Sequence, residues 1–352
     1  MFTHEELHVT AGRRSGVPIV VAIHSTARGQ ALGGCRIWNY ADWRDGVEDA
    51  LRLSSSMTAK NALAGLANGG GKTVVALPPG ARPDRRELLL DVGDAVEALG
   101  GRYGTGPDVG TSSDDMVVIG ERTSHAFCRP VSAGGSGSSS PGTAAGVLAA
   151  LRATVDRLPD PGGATASARS WPAGRTFAVV GLGSVGADVA RRLASAGARL
   201  VVSDVRADAE ALADELGARW ASPESALTAE VDVLVPAALG GVLTPALVPE
   251  LRCRAIVGPA NNQLASADVA GLLHDRGILW APDYVVSAGG IVHAVATELY
   301  REPEAAVAAR IDAIGETLTR VYQLAEAEGL TPAAAAERLV TERLVTERLG
   351  TN

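Results

Sequence analysis

Between Thr176 and Asp204 the chain reads as apolar strand, glycine-rich turn, helix and second apolar strand, and few folds accommodate that succession. Phe177-Ala178-Val179-Val180 runs directly into Gly181-Leu182-Gly183-Ser184-Val185-Gly186, then Ala187 to Ala196 at helical spacing, then Arg199 to Ser203. A helix that carries the chain back to lay a second strand beside the first is a βαβ unit. Apolar runs at Val231 to Val235 and Ala255 to Val257, separated by helix-like segments, extend it into a parallel, doubly wound sheet.

The turn between strand and helix has the spacing of a dinucleotide fingerprint. Gly181 permits the tight turn, Gly183 lets backbone approach a pyrophosphate, and Gly186 allows close helix–strand packing. The helix start, with Ser184 and Val185, offers unpaired N–H groups and a positive dipole end to phosphate. The second strand ends in Asp204, 18 residues after Gly186, where a carboxylate can bind both ribose hydroxyls and would repel a 2′-phosphate. NAD is therefore expected over NADP, a preference that neighbouring Arg206 tempers. Because this unit begins only at residue 176, the first third of the chain has a separate task, the holding of a substrate.

That first third contains a second anomaly. Of 32 cationic side chains only Lys60 and Lys72 are lysine, and the rest are arginine. Arginine keeps its proton at any relevant pH, whereas a lysine in a dry pocket can act as a base. Lys60 closes Ser56-Met57-Thr58-Ala59-Lys60, and Lys72 follows Gly69-Gly70-Gly71. One cation can fix a substrate carboxylate, an amine can activate water against an imine, and a carboxylic acid can shuttle the proton on nitrogen. Asp108, in Thr105-Gly106-Pro107-Asp108-Val109, is the candidate acid.

At 352 residues two domains are expected. No apolar run is long enough to span a bilayer, the N-terminus does not read as a signal peptide, and a net charge of −8 argues against a nucleic-acid surface. Cys35, Cys128 and Cys253 stand far apart in no metal-ligand spacing, so no metal site is expected and buried thiols in a reducing cytoplasm are. Pro18 to His24 and Thr73 to Leu77 read as strands, and Trp43 to Leu66, Glu87 to Leu99 and Thr143 to Leu158 as helices. Ser132 to Gly142 is a Ser/Gly hinge, Pro159 to Ser170 a second loose stretch, and Thr331-Pro332 a helix start. The repeat Glu337-Arg338-Leu339-Val340-Thr341, renewed from Glu342, reads as a frayed helical end without function. Histidines 24, 125 and 293 and the tryptophans read as packing or satisfied structural residues.

Seven segments, in order, resemble the glutamate/leucine/phenylalanine/valine dehydrogenase superfamily. They are Ala31 to Arg36, Met57 to Lys60, Gly69 to Lys72, Gly106 to Val109, Gly181 to Gly186, Gly258 to Asn262, and Ala281 to Tyr284 with Ala288 to Gly290. Within it the chain is most similar to actinobacterial phenylalanine dehydrogenases, which share Thr-Gly-Pro-Asp-Val. The resemblance implies an N-terminal α/β substrate domain (1–135, also serving oligomerisation), a Rossmann NAD-binding domain (136–320) and C-terminal helices (321–352) packing back toward the first, with the active site in the cleft. It implies that Lys60 binds the α-carboxylate with the backbone of Gly33 and Gly34, that Lys72 activates water, and that Asp108 handles the amine protons. Asn261 would lie near the nicotinamide ribose and the substrate, and Thr143 against the nicotinamide amide. Met57 would contact the substrate. Leu32, Gly106, Ile291 and Ala294 would line the side-chain pocket. Departures from the family pattern fall at Asn68, Gly110, Pro259 and Ser287 and put specificity in doubt more than catalysis.

All four pocket positions are apolar, and burying a glutamate side chain among them would cost several kcal/mol. Small Gly106 and Ala294 leave room for a ring, so phenylalanine is expected, with valine, leucine or tryptophan as alternatives and Ile291 narrowing one wall. The implied activity is oxidative deamination of an apolar L-amino acid, reversible as reductive amination, by a cytoplasmic homo-oligomer. Two other classes compete. A non-catalytic NAD-binding regulator would have lost a catalytic residue, and none is missing; a hydroxy-acid dehydrogenase would typically need a His–carboxylate pair, and no histidine has an evident motif for it.

Overall fold

A computed structural model describes residues 3–159 and 171–350. The loose stretch expected from Pro159 to Ser170 lies, beyond Pro159, outside the described residues. Two compact units divide the chain: 1–139, 293–304 and 340–352 form the first, and 140–292 with 305–339 the second. No helix among the described residues is long and apolar enough to cross a membrane.

The first unit is built on a five-stranded mixed sheet in the order β1-β2-β4-β3-β5. Its strands are β1 (Glu6–Ala11), β2 (Pro18–Ser25), β3 (Ala31–Asn39), β4 (Gly69–Leu77) and β5 (Tyr103–Pro107). The central strands β4 and β3 are parallel, β3 and β5 likewise, while β2 runs antiparallel to β4. Helix α1 (Trp43–Leu63) packs on one face, and α2 (Arg85–Glu97) and α3 (Ser113–Ile119) bury Leu88, Leu89, Val92, Met116 and Ile119 in a core with Val21, Ile23 and Val75. Asp42 starts α1 by capping Arg44 N, in a reciprocal capping box with Asp45.

The glycines before Lys72 lie within β4, not in a loop ahead of a strand that starts at Thr73. Nor is flexibility their use. An ideal Cβ would come 1.9 Å from Ser25 O at Gly69, 2.1 Å from Thr58 N at Gly70 and 2.6 Å from the Tyr103 ring at Gly71. Only bare backbone lets α1, β2 and Tyr103 close on this strand.

The second unit carries a six-stranded parallel sheet in the order β11-β10-β9-β6-β7-β8. The strands are β6 (Thr176–Val180), β7 (Arg199–Ser203), β8 (Arg219–Trp220), β9 (Val233–Pro236), β10 (Ala255–Ile256) and β11 (Leu279–Trp280). Helix α4 (Ser140–Val155) leads into this unit, and α5 (Ser184–Ser195) follows β6 through the glycine turn. The order reverses beside β6, the place where doubly wound sheets bind their ligands. Buried Asp232 fixes the start of β6, accepting from Thr176 N at 2.8 Å, Thr176 Oγ1 at 2.9 Å and Arg175 Nη1 at 3.2 Å.

The division differs from the expected one, which kept 136–320 together. Residues 293–304 join the first unit, where Glu298 Oε1 accepts from Cys128 N (2.7 Å) and Ser136 N (2.8 Å), and the Tyr300 hydroxyl donates to Asn68 Oδ1 (2.8 Å). The helix Glu304–Glu328 stays with the second unit: Ile314 packs against bare Gly146, and the Tyr322 and Thr154 hydroxyls share a 2.9 Å bond. The terminal repeat is not a frayed end. It continues the helix Pro332–Gly350, and Arg343 donates to Ala62 O and to Leu63 O (2.9 Å) at the C-terminal end of α1.

Candidate active site

Side chains alternate across a strand, so Leu32, Gly34 and Arg36 of β3 share one face. In register, Gly34 stands beside Gly106 of β5, and Gly33 beside Thr105. Gly34 is bare where it must be: a Cβ there would lie 2.7 Å from Asp108 Cβ, 3.0 Å from Pro107 O and 3.3 Å from Lys72 Nζ. Gly33 faces the opposite way, with a Cβ only 1.8 Å from Gly71 O. These two glycines let Lys72 and Asp108 meet across β3.

They meet at 2.7 Å, Lys72 Nζ donating to Asp108 Oδ2. The lysine side chain is 6% exposed and the aspartate 21%. Asp108 sits one residue beyond β5 in a pinned turn. Its N–H donates to Thr111 Oγ1 (2.9 Å), which donates to Cys35 O (2.8 Å), and Ile37 N donates to Val109 O (2.9 Å). Gly110, at φ 82°, closes the turn so tightly that a Cβ would meet Ile37 O at 2.1 Å.

A second cation was not foreseen as a site residue. Arg36 Nε donates to the same Asp108 Oδ2 at 3.0 Å, and its Nη1 to Asp49 Oδ2 on α1 at 2.9 Å. Asp49 also accepts from the Tyr40 hydroxyl (2.7 Å) and Arg52 Nη2 (2.6 Å). The period-two alternation from Gly34 was the signal that could have placed Arg36 here. Burial pushes the Asp108 carboxyl up, but Lys72 and then Arg36 outweigh it and hold the group down at about 2. Asp108 is thus a carboxylate at neutral pH, although half-buried.

Lys60 and Met57 lie half-buried on α1, whose Thr58 packs on Gly70 of β4. Leu32 is fully buried. The room expected beside Gly106 is taken by Phe127, whose Cε2 lies 2.7 Å from an ideal Cβ there. The same ring helps line a cavity of about 370 Å³ with Gln30, Gly104, His125, Arg129 and Glu298, which does not reach Lys72 or Asp108. His24 and His125 are bonded, to Thr58 and Gln30, whereas His293 Nδ1 is buried with no hydrogen-bond partner among the described residues, unlike the satisfied histidine expected. Ala294 is fully buried at the end of the helix Gly289–Ala294.

The other candidates belong to the second unit. Gly181 has φ 106°, and a Cβ at Gly186 would strike Gly181 O at 2.0 Å, so turn and helix need both glycines. Among the described residues a Cβ at Gly183 would meet nothing within 4 Å, and no side chain caps α5 above Ser184, Val185 and Gly186. An open backbone cradle with uncapped N–H groups fits a pyrophosphate. Asp204 Oδ2 accepts from Leu182 N at 2.7 Å and Oδ1 from Arg206 N at 2.9 Å, bonds that hold its carboxyl below the usual range against burial. Its remaining lone pairs suit ribose hydroxyls. Exposed Asn261 accepts from Ser287 Oγ at 3.4 Å, Thr143 abuts Gly289, and Ile291 is half-buried. Ser287, expected to depart from the family pattern, thus touches a candidate residue. No group of three or more potential ligands could hold a metal among the described residues.

A parallel sheet whose strand order reverses at this loop has the form of a dinucleotide-binding unit, joined in the chain to a smaller mixed-sheet unit. Comparison with known proteins narrows the class. Residues 3–125 match the model of the Glu/Leu/Phe/Val dehydrogenase dimerisation domain, and residues 205–348 that of Glutamate/Leucine/Phenylalanine/Valine dehydrogenase. Residues 163–240 match the NAD binding domain of D-isomer specific 2-hydroxyacid dehydrogenases. The chain is 40% identical to valine dehydrogenase of Streptomyces coelicolor over 346 residues, covering 96% of this chain and 91% of that one. It is 38% identical to phenylalanine dehydrogenase of Lysinibacillus sphaericus over 341 residues, covering 95% and 87%. The solved L-tryptophan dehydrogenase from Nostoc punctiforme superposes with a TM-score of 0.82 at 32% identity, covering 98% of this chain and 97% of that one. The chain belongs to the Glu/Leu/Phe/Val dehydrogenase family. It is an amino-acid dehydrogenase with NAD as cofactor.

Proposed function

We propose that the chain oxidatively deaminates an apolar L-amino acid to its 2-oxo acid and ammonia, and runs in reverse as a reductive aminase. The observation that carries this is the 2.7 Å Lys72–Asp108 pair under bare Gly34, in a chain whose second unit has the NAD loop. In this reading Lys60, with the backbone of Gly33 and Gly34 and with Met57 beside it, fixes the substrate α-carboxylate. Asp108, an ionised carboxylate, accepts a proton from the substrate ammonium. The bound nicotinamide supplies the hydride acceptor for the Cα hydrogen. Lys72, acting as the uncharged amine, then orients a water against the resulting iminium carbon and takes its proton, so that a C–O bond forms. Asp108 returns its proton to the nitrogen; the C–N bond breaks and ammonia leaves, while the hydroxyl gives its proton to the Asp108 carboxylate and becomes the oxo group. Gly181, Gly183, Ser184, Val185, Gly186 and Asp204 would hold the dinucleotide, with Thr143 and Asn261 toward the nicotinamide.

Apolar Leu32, Gly106, Ile291 and Ala294 support an apolar side chain, with phenylalanine the first candidate. Phe127 against Gly106 favours a second reading, a branched-chain substrate such as valine. Assembly into a homo-oligomer through the first unit is part of the proposal. The test is NADH formation with each L-amino acid in turn. Turnover confined to apolar amino acids supports the reading, and a maximum on phenylalanine or on valine decides between the two. Measurable NAD binding without turnover of any amino acid would overturn it.

A further inference from the structure

Four charges of alternating sign run through the first unit: Lys72, Asp108, Arg36 and Asp49. Lys72 and Arg36 converge on a single oxygen, Oδ2 of Asp108, at 2.7 and 3.0 Å. Among the described residues Oδ1 has no side-chain partner, so it is the oxygen left to meet a substrate. Two donors fixed on Oδ2 set both the rotation of the carboxylate and its charge. Lysine alone does not suffice for this, because its ammonium rotates freely about one bond, whereas the planar guanidinium is a fork with fixed directions.

Arg36 spends that fork in two places. Nε meets Asp108 and Nη1 meets Asp49, which Tyr40 and Arg52 hold from their own side. Arg36 is only 19% exposed and Asp49 14%, so the arrangement is sheltered from solvent screening. Asp49 and Lys60 lie on the same helix α1, which ties the anchor of Arg36 to the element bearing the candidate carboxylate anchor. We propose that Arg36 is a positioning residue of the reaction: braced by Asp49, it holds Asp108 Oδ2 so that Oδ1 faces the substrate amine and the carboxylate stays ionised. This rests on the reading of Asp108 as the group that exchanges the amine proton.

The groups facing Asp108 are Lys72 from β4 and Arg36 from β3, with the Val109 N–H and the Cys35 thiol alongside and Asp49 of α1 behind Arg36. Burial pushes the Cys35 thiol up to about 12, so it stays neutral across the working range. Loss of Arg36 removes one of two cations and moves the acid limb of the rate profile toward neutral, a macroscopic property of the coupled site.

The experiment compares pH profiles of kcat and kcat/KM for wild type, Arg36→Gln, Arg36→Lys and Asp49→Asn, using the amino acid that the wild type turns over best. Arg36→Gln should lose kcat by about tenfold or more, with its acid limb raised by about one pH unit and KM for NAD unchanged. Asp49→Asn should shift the limb in the same direction by less, and Arg36→Lys should restore part of the loss. Folded Arg36→Gln with a wild-type profile would overturn the inference, as would a change confined to melting temperature. Should Arg36→Gln not fold, Asp49→Asn and Arg36→Lys decide it, and an unmoved limb in both overturns it. Asp108→Asn in the same buffers separates the two levels. Normal turnover there removes the reading of Asp108 itself, while an inactive Asp108→Asn beside an unmoved Arg36→Gln removes only the role of Arg36.

Discussion

A single methyl group at position 34 should disable the site without touching a charged residue. The Cβ of Gly34→Ala would lie 2.7 Å from Asp108 Cβ, 3.0 Å from Pro107 O and 3.3 Å from Lys72 Nζ. Carbon pairs are comfortable only at about 3.5–4.0 Å, so the Asp108 turn must retreat by roughly 1 Å. Overpacking of this kind costs about 1–3 kcal/mol of stability, which a chain of this size should survive. The catalytic loss is larger, because a misplacement of about 1 Å costs on the order of 100-fold in rate. The assay is kcat from NADH appearance, run beside NAD affinity and thermal unfolding. Gly34→Ala should fold, bind NAD as wild type does and turn over on the order of 100-fold more slowly. A folded variant with wild-type kcat would show that the Lys72–Asp108 geometry does not govern the chemistry.

Gly183→Ala is the opposite case. A Cβ there meets nothing within 4 Å and the backbone has φ −68°, so stability should be unchanged while NAD affinity falls by about tenfold or more, as titration of protein fluorescence would show; unchanged affinity would place the pyrophosphate elsewhere. Asp232→Ala strands a buried Arg175 and should cost about 3–5 kcal/mol in urea unfolding. The Asp232 carboxyl is held below its ordinary value despite burial, by Thr176 and then Arg175, so its contribution is present above about pH 4 and lost as pH falls further; the gap between wild type and variant should shrink in acid. Phe127→Ala should raise kcat/KM for tryptophan or phenylalanine relative to valine by about tenfold or more, at least the worth of one methylene in an apolar pocket, and an unaltered ratio would mean that the ring bounds no part of the substrate site.

The second unit was legible because its signals are local. The strand before Gly181, the turn and the helix after it are contiguous, and Asp204 follows at a fixed interval. The first unit hid its most important strands. β3 and β5 carry Gly33, Gly34, Gly104 and Gly106, residues depleted in strands, and a Cβ at these positions would strike neighbouring segments of the chain or, at Gly106, the Phe127 ring. Two-residue strands such as β8 and β11 are too short for periodicity to reveal. Lys72 stood out by residue type, but Arg36 was one of many arginines, and its partner Asp108 lies 72 residues away in sequence. Arg343 contacts α1 across 280 residues, so nothing in the terminal repeat announces the contact. Phe127 carries no local signal for the same reason: only the folded β5 puts Gly106 against it.

Removing the Lys72 amine tests the central claim most directly. Lys72→Ala should keep the fold and NAD affinity while losing turnover of its best amino acid by on the order of a thousandfold, a loss seen in kcat from NADH formation at saturating substrate. Lys72→Ala turning over as fast as the wild type would contradict the account.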